Sequence, residues 1–254
     1  MTQLPPTLIT GAATRIGKTL ALGLAVEGTP IVVHYNHSRD AAQAVVSEIR
    51  QKGGQAVAIG ANLLDGAHVP TLVKDAAEAL GQPLGCLINN ASLFEKDEAG
   101  SLTADLFAQH FAIHATAPAL LTDALAAQLK PEIQGLVVNI IDQRVWRLTP
   151  NFTSYTASKF ALWGLTQTQA QAYAPRLRVN AIGPGPTLAN ERQNASDFQK
   201  QTDAVPLGTG PDLSAFAETI QYLWQMKSMT GQMIALDGGQ HLAWETPDVA
   251  GINE

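Results

Sequence analysis

Cysteine is nearly absent: Cys86 is the only one in 254 residues, which rules out an intramolecular disulfide. It lies in the apolar run Leu84-Gly85-Cys86-Leu87-Ile88, where a buried, inert thiol is expected. Positive charge is scarce as well. Sixteen Lys and Arg against 22 Asp and Glu leave a formal charge of −6, so neither a nucleic-acid partner nor an anionic membrane is expected. No apolar run reaches the roughly eighteen residues of a membrane-spanning helix. The opening MTQLPPTLITG lacks the basic region and long apolar core of a secretory leader. Low-complexity tracts and short repeats are missing too. These absences leave a soluble, cytoplasmic protein that acts on a small molecule, and no metal is expected.

What the chain does have is 46% apolar and 15% charged residues, a globular balance at a length that fits one large α/β domain or two small ones. Nothing marks a boundary, so residues 1–254 read as one domain. Apolar runs at 7–10, 30–35, 55–59, 84–88 and 135–141 alternate with helical patterns at 16–27, 39–52, 67–80, 103–129 and 153–173. A run at 178–182, a helix at 212–226 and a short run at 232–236 complete seven strands. Unbroken apolar strands are buried on both faces, and their alternation with helices predicts a parallel, doubly wound α/β sheet of Rossmann type. Residues 188–210 are polar with no clean period, which reads as a loop that orders over a site. The tail, 241–254, shows no strong pattern and is expected to be partly disordered.

Four places carry chemistry. Thr10-Gly11-Ala12-Ala13-Thr14-Arg15-Ile16-Gly17 sits at the first strand-to-helix turn, where backbone N–H groups and a helix N-terminus can meet a pyrophosphate; an ordinary tight turn would read the same. Arg15 puts a guanidinium near phosphate or substrate. The second strand ends in Tyr35-Asn36-His37-Ser38-Arg39, a set of donors without the acid that accepts from a ribose 2′-hydroxyl, which favours NADPH. Asp40 is counter-evidence, with a simpler role in the first turn of the next helix. Asn89-Asn90-Ala91-Ser92 ends the fourth strand and suits either close approach to a ligand or plain capping. Tyr155 and Lys159, four apart on a helix, share a face, so an ammonium stands near a phenol and eases it toward acid–base work. Asp142 is a third titratable group, thirteen residues upstream.

Taken together, the Gly11 turn, Asn89-Asn90-Ala91, Tyr155-x-x-x-Lys159, Asn180 followed by Pro184-Gly185, and Asp237-Gly238-Gly239 resemble the short-chain dehydrogenase/reductase family over nearly the whole chain. The resemblance implies that Tyr155 donates the proton while Lys159 lowers its pKa and binds the nicotinamide ribose. It further implies a cofactor cradle built from Gly11, Arg15, Ile16 and Gly17, then Tyr35, Asn36, His37 and Ser38. Asn62, Leu63, Asn90, Ala91, Ser92, Pro184 and Gly185 would continue it, and Thr187 would meet the carboxamide. Three departures are similar to the pteridine reductases, including bacterial dihydromonapterin reductases and alternative dihydrofolate reductases. Asp142 replaces the usual serine, Arg15 stands in the glycine turn, and Leu93-Phe94 follows Ser92. Leu236-Asp-Gly-Gly-Gln-His-Leu242 also looks like that bacterial branch.

The serine-to-aspartate change has its own physical sense. A hydroxyl donates to a substrate carbonyl, whereas an ionised carboxylate only accepts and repels a developing oxyanion. A pterin instead offers an amino group, ring N–H donors and imine nitrogens that need a proton. The implied reaction is NADPH-dependent reduction of a dihydromonapterin, dihydrobiopterin or dihydrofolate type of substrate. Arg15, Ser92, Phe94, Asp142 and Tyr155 would bind it. Phe94 alone is also explained as core packing. His114, in Ile113-His114-Ala115, is either part of a proton relay or a satisfied core histidine. The helices at 103–129 and 153–173 resemble the family's subunit contacts and suggest a homotetramer. Alternatives are a 3-oxoacyl or other carbonyl reductase of the same fold, and a non-catalytic NADPH-sensing regulator.

Overall fold

The computed structural model describes residues 3–130, 132–189 and 193–243. Its centre is one sheet of seven parallel strands in the order β3-β2-β1-β4-β5-β6-β7. The strands are β1 (Thr7–Ile9), β2 (Ile31–Tyr35), β3 (Ala56–Gly60), β4 (Cys86–Asn89), β5 (Gly135–Ile140), β6 (Leu177–Pro184) and β7 (Met233–Leu236). The helices are α1 (Arg15–Val26), α2 (Arg39–Gln51), α3 (Leu72–Leu80), α4 (Ala104–Phe111), α5 (Ala117–Gln128), α6 (Thr153–Tyr173), α7 (Ala195–Asp203) and α8 (Ser214–Gln225). Strand order reverses between β1 and β4, and the crevice beyond their carboxyl ends is where such sheets bind ligands.

Why the strands read as unbroken apolar runs is visible in the packing. Ile9, Val33, Ile88 and Val138 point to one face, under α1, α2 and α8, while Leu8, Val32, Leu87 and Val137 point to the other, under α3, α5 and α6. Period-two alternation then sends apolar side chains into a core either way. Each fully buried Leu or Ile contributes about 2 kcal/mol from removal of its surface from water. Cys86 is buried, and burial pushes its thiol up to about 12, so it is inert as expected.

Three elements differ from the sequence expectation. The helix anticipated at 67–80 begins at Leu72, because Pro70 closes a short 3-10 turn at Val69–Thr71 instead. The long helix anticipated at 103–129 is broken by a π turn at Ala112–Thr116. Pro118 has no N–H for the His114 carbonyl and its ring would crowd that oxygen, so the chain widens one turn earlier. Within the segment read as an irregular loop, α7 forms on an Asn194 cap whose Oδ1 accepts the Asp197 N–H at 2.8 Å. The tail from 244 onward lies outside the described residues. Among the described residues no helix is long and apolar enough to cross a membrane.

Candidate active site

At the switch point, a cavity of about 590 Å³ is walled by the turns after β1, β4, β5 and β6, with Phe198 and Gln201 of α7 also lining it. The β1 turn has no room for a side chain at Gly11 or Gly17. A Cβ on Gly11, whose φ is +63°, would sit 2.9 Å from the Ala91 Cα, and one on Gly17 would sit 2.2 Å from the Gly11 oxygen. Asn90 Nδ2 donates to the Thr10 and Gly11 carbonyls at 2.9 and 3.1 Å, and Thr10 Oγ1 accepts the N–H groups of Asn90 and Ala91 at 2.9 and 3.0 Å. The turn is thereby fixed before any ligand arrives.

His34, which sequence reasoning did not single out, finishes that turn. Gly11 N–H donates to His34 Nδ1 at 3.1 Å, so Nε2 carries the hydrogen and donates to the Ala61 carbonyl at 3.1 Å. Burial lowers the His34 pKa from 6.5 to about 4, with the Ala61 bond opposing. Between those values, falling pH protonates the unfolded chain but not the fold, so stability is lost as pH drops from 6.5 to 4. The expected loss from this group is about 3 kcal/mol. It is checked by urea midpoints across that range, with a visibly flatter dependence in His34→Asn; parallel curves would remove His34 as the cause.

The acid–base group assembles around the N-terminal turns of α6. Tyr155 Oη donates to Asp142 Oδ2 at 2.9 Å. The other Asp142 oxygen accepts the Arg144 N–H at 2.9 Å, and Arg144 Nε stands 3.9 Å from Oδ2. Lys159 Nζ donates to the Ile140 carbonyl at 2.8 Å and lies 5.7 Å from the centre of the Tyr155 ring. Burial raises the Asp142 carboxyl above the usual carboxylate range despite the Arg144 N–H, the guanidinium, Tyr155 and Lys159. Burial, then the Asp142 charge, raises Tyr155 well above an ordinary phenol. Burial lowers Lys159 to about 8 against the pull of Asp142. The sequence led to the expectation of a phenol eased toward ionisation by lysine; here the lysine reaches a strand carbonyl, the carboxylate reaches the phenol, and burial favours the neutral form of Tyr155.

Phe94 both packs and lines the cavity. Its ring stacks on Phe152 at 4.4 Å and 12°, and meets Tyr155 edge-on at 4.7 Å. Ser92 Oγ is 2.9 Å from His114 Nε2, which also accepts the Leu93 N–H at 3.2 Å. His114 is therefore protonated at Nδ1, which meets Ser158 Oγ at 2.8 Å; Ser158 in turn donates to the Tyr155 carbonyl at 2.7 Å. Burial and the Lys159 charge hold it neutral. Both ring nitrogens are thus hydrogen-bonded, and the ring lies behind Ser92 rather than on the cavity wall.

Most sequence-selected residues line one cavity: Gly11, Arg15, Ile16, Gly17, Asn36, Asn62, Leu63, Asn90, Ala91, Ser92, Phe94, Asp142, Tyr155, Lys159, Pro184, Gly185 and Thr187. Tyr35, His37 and Ser38 do not. The Tyr35 ring lies over Gly60, and His37 and Ser38 are exposed at the start of α2, with Asp40 in that helix's first turn. Arg15 does not stand free for a phosphate. Its guanidinium donates to the Leu188 and Ala189 carbonyls at 3.1 and 2.9 Å and ties the β1 turn to the segment beyond β6. Sequence reasoning missed Arg144, Phe198, Gln201 and Gln240 on the wall. Phe198 and Gln201 ride on α7, which buries no residue and so shows no apolar stripe. Gln240 is brought in by Arg147 Nη1, which donates to its carbonyl at 2.9 Å.

Comparison with known proteins agrees with this geometry. The family model described as short chain dehydrogenase matches residues 6–200. The dihydromonapterin reductase of Shigella sonnei is 30% identical over 241 residues, 93% of this chain and 97% of the relative. The 3-oxoacyl-[acyl-carrier-protein] reductase FabG of Staphylococcus epidermidis is 29% identical over 240 residues, 92% and 98% of the two chains. Among solved structures, FolM alternative dihydrofolate reductase 1 from Brucella canis, complexed with NADP, superposes with a TM-score of 0.93 at 50% identity, covering 97% of each chain. The same protein from Brucella suis, in complex with NADP, gives 0.94 at 50% identity over 98% of this chain and 100% of that one.

Proposed function

The chain belongs to the short-chain dehydrogenase family, and from that premise we propose that it reduces a pterin or dihydrofolate-type substrate with NADPH. The observation that carries the reading is the Tyr155–Asp142 hydrogen bond of 2.9 Å on the cavity wall. Sequence relatives named for 3-oxoacyl and for dihydromonapterin reduction are equally distant, at 29% and 30% identity, whereas the alternative dihydrofolate reductase structures are 50% identical, which favours the pterin or folate side. The carboxylate points the same way. A ketone gains nothing from an acceptor at that point, while a ring bearing N–H and amino donors does.

The residues present fit NADP(H). Gly11 and Gly17 leave a turn that no side chain can enter, and Asn36 rather than an acid faces the cavity from the end of β2. Asn62, Leu63, Asn90 and Ala91 would flank the adenosine and ribose side, with Pro184, Gly185 and Thr187 at the nicotinamide end. Tyr35, His37 and Ser38 sit outside that wall, and His37 and Ser38 can reach a 2′-phosphate only from its rim. When bound, the cofactor supplies hydride. Lys159 would hold the ribose while Tyr155, as a neutral phenol, delivers the proton and Asp142 accepts from the substrate's ring donors. Ser92 and Phe94 would position the ring, and Arg15 would hold the segment beyond β6 across the cavity. Loss of NADPH absorbance with dihydromonapterin, dihydrobiopterin and dihydrofolate, set beside a 3-oxoacyl thioester, tests the reading. Turnover of the thioester alone would select the carbonyl reductase. Tight NADPH binding with no turnover of any substrate would select a sensor.

A homotetramer is part of the same proposal. Leu102 and Phe107 at α4 and Phe160 on α6 are partly exposed on elements that pack together. Light scattering should give about four times the 26.9 kDa chain mass; a monomer would refute it. The lone buried thiol and the choice of NADPH suit a cytoplasmic enzyme.

A further inference from the structure

The strap of residues 92–98 carries Ser92 and Phe94 to the cavity, and it is held by more than its own backbone. Asp97, buried, receives the Ser154 N–H with both carboxylate oxygens at 3.2 Å and also the Ser154 hydroxyl. Its carbonyl accepts the Phe152 N–H at 2.7 Å, so the carboxylate caps the first turn of α6 from another segment. Ser154 spends its hydrogen on Asp97 and must therefore accept from His110 Nδ1, 2.6 Å away. That leaves His110 Nε2 as an acceptor, and it faces the Glu95 N–H at 3.5 Å. One turn along, His114 repeats the arrangement, with Nε2 toward the Leu93 N–H and Nδ1 toward Ser158. The two rings stack at 5.6 Å and 16°.

We propose that His110 is a positioning residue for the substrate: through Ser154 and Asp97 it fixes the strap, and with it Ser92 and Phe94, against the turn of α6 that bears Tyr155. The inference rests on the pterin-reductase reading and deepens it. His110 is fully buried and outside the cavity wall, so it touches neither ligand. Its neutral form is the one the pattern requires. Burial favours that form, Asp97 and Glu95 oppose it, and Lys159 supports it. The His114 ring and the edge of Tyr155, 6.0 Å away, also pack against it.

Steady-state kinetics with NADPH and dihydromonapterin test this. His110→Leu should raise the pterin KM about tenfold, with kcat within about threefold and the NADPH Kd within about twofold. His110→Asn places an amide Nδ2 where the imidazole Nδ1 stood and should bring KM back to within about threefold of the wild type. Ser154→Ala breaks the same link from α6 and should match His110→Leu, and it serves if that variant does not fold. An unchanged pterin KM, or equal loss of NADPH affinity, overturns the proposal. If the wild type turns over no dihydropterin, the functional reading has failed, and hydrogen exchange of residues 93–97 in the NADPH complex decides. Faster exchange in His110→Leu that His110→Asn restores keeps the positioning role; equal exchange ends it.

Discussion

Replacing Tyr155 with phenylalanine is expected to lower kcat by about a thousandfold, the range set by loss of a positioned general acid. NADPH affinity should change by less than about twofold, because the ring and its contacts remain. The edge-on contact with Phe94 at 4.7 Å needs no hydroxyl, and Asp142 keeps the Arg144 N–H at 2.9 Å. About 4 kcal/mol of transition-state stabilisation is therefore assigned to one O–H group. Single-turnover rates with dihydromonapterin, set beside a fluorescence titration of NADPH, separate chemistry from binding. Turnover near that of the wild type would transfer the acid role to Asp142. The pH profile distinguishes the two acids by sign. A carboxyl must be protonated to donate, so a rate carried by Asp142 falls as pH rises through its pKa, which burial raises. A rate carried by Tyr155, whose pKa burial and Asp142 push far up, persists into alkaline solution.

That Tyr155 and Lys159 share a helix face was legible in the sequence, but the direction of the shift at Tyr155 was not. Spacing of four on a helix places Tyr155 and Lys159 on one face, and α6 does so. Spacing cannot say that Lys159 would find the Ile140 carbonyl, because that depends on how close β5 runs to the helix. The sheet was legible for a plainer reason: strands buried on both faces must be apolar throughout, whatever their neighbours. The π turn was readable in principle from Pro118, whose missing N–H falls opposite His114. The Asp97–Ser154–His110 link was hidden, since its members lie 57 and 44 residues apart and each alone looks like an ordinary polar residue. Only the fold brings them into one hydrogen-bonded line. The same holds for α7, which lines the cavity with Phe198 and Gln201 while burying nothing of its own.

Asp142→Ser should invert the preference of the site. The change exchanges an acceptor for a hydroxyl that donates, at a point where Tyr155 already supplies one donor. For a dihydropterin, kcat/KM should fall by about a hundredfold or more, the usual cost of losing a charge-assisted hydrogen bond at the reacting ring. For a 3-oxoacyl thioester, a second donor now faces the carbonyl oxygen without a neighbouring negative charge, and turnover should appear or rise. NADPH affinity should hold within about twofold, since the proposed function sets Asp142 against the substrate and not the cofactor. Folding should not suffer. The carboxylate is a partly buried charge whose pKa is raised by desolvation, so the native state carries a desolvation cost that serine lacks. Asp142→Asn separates charge from shape: its amide oxygen can still take the Arg144 N–H, yet it cannot exchange a proton with Tyr155 or a ring nitrogen. If pterin reduction is as fast in Asp142→Ser as in the wild type, the carboxylate does not select the substrate, and the argument that divides this chain from the ketone reductases fails with it.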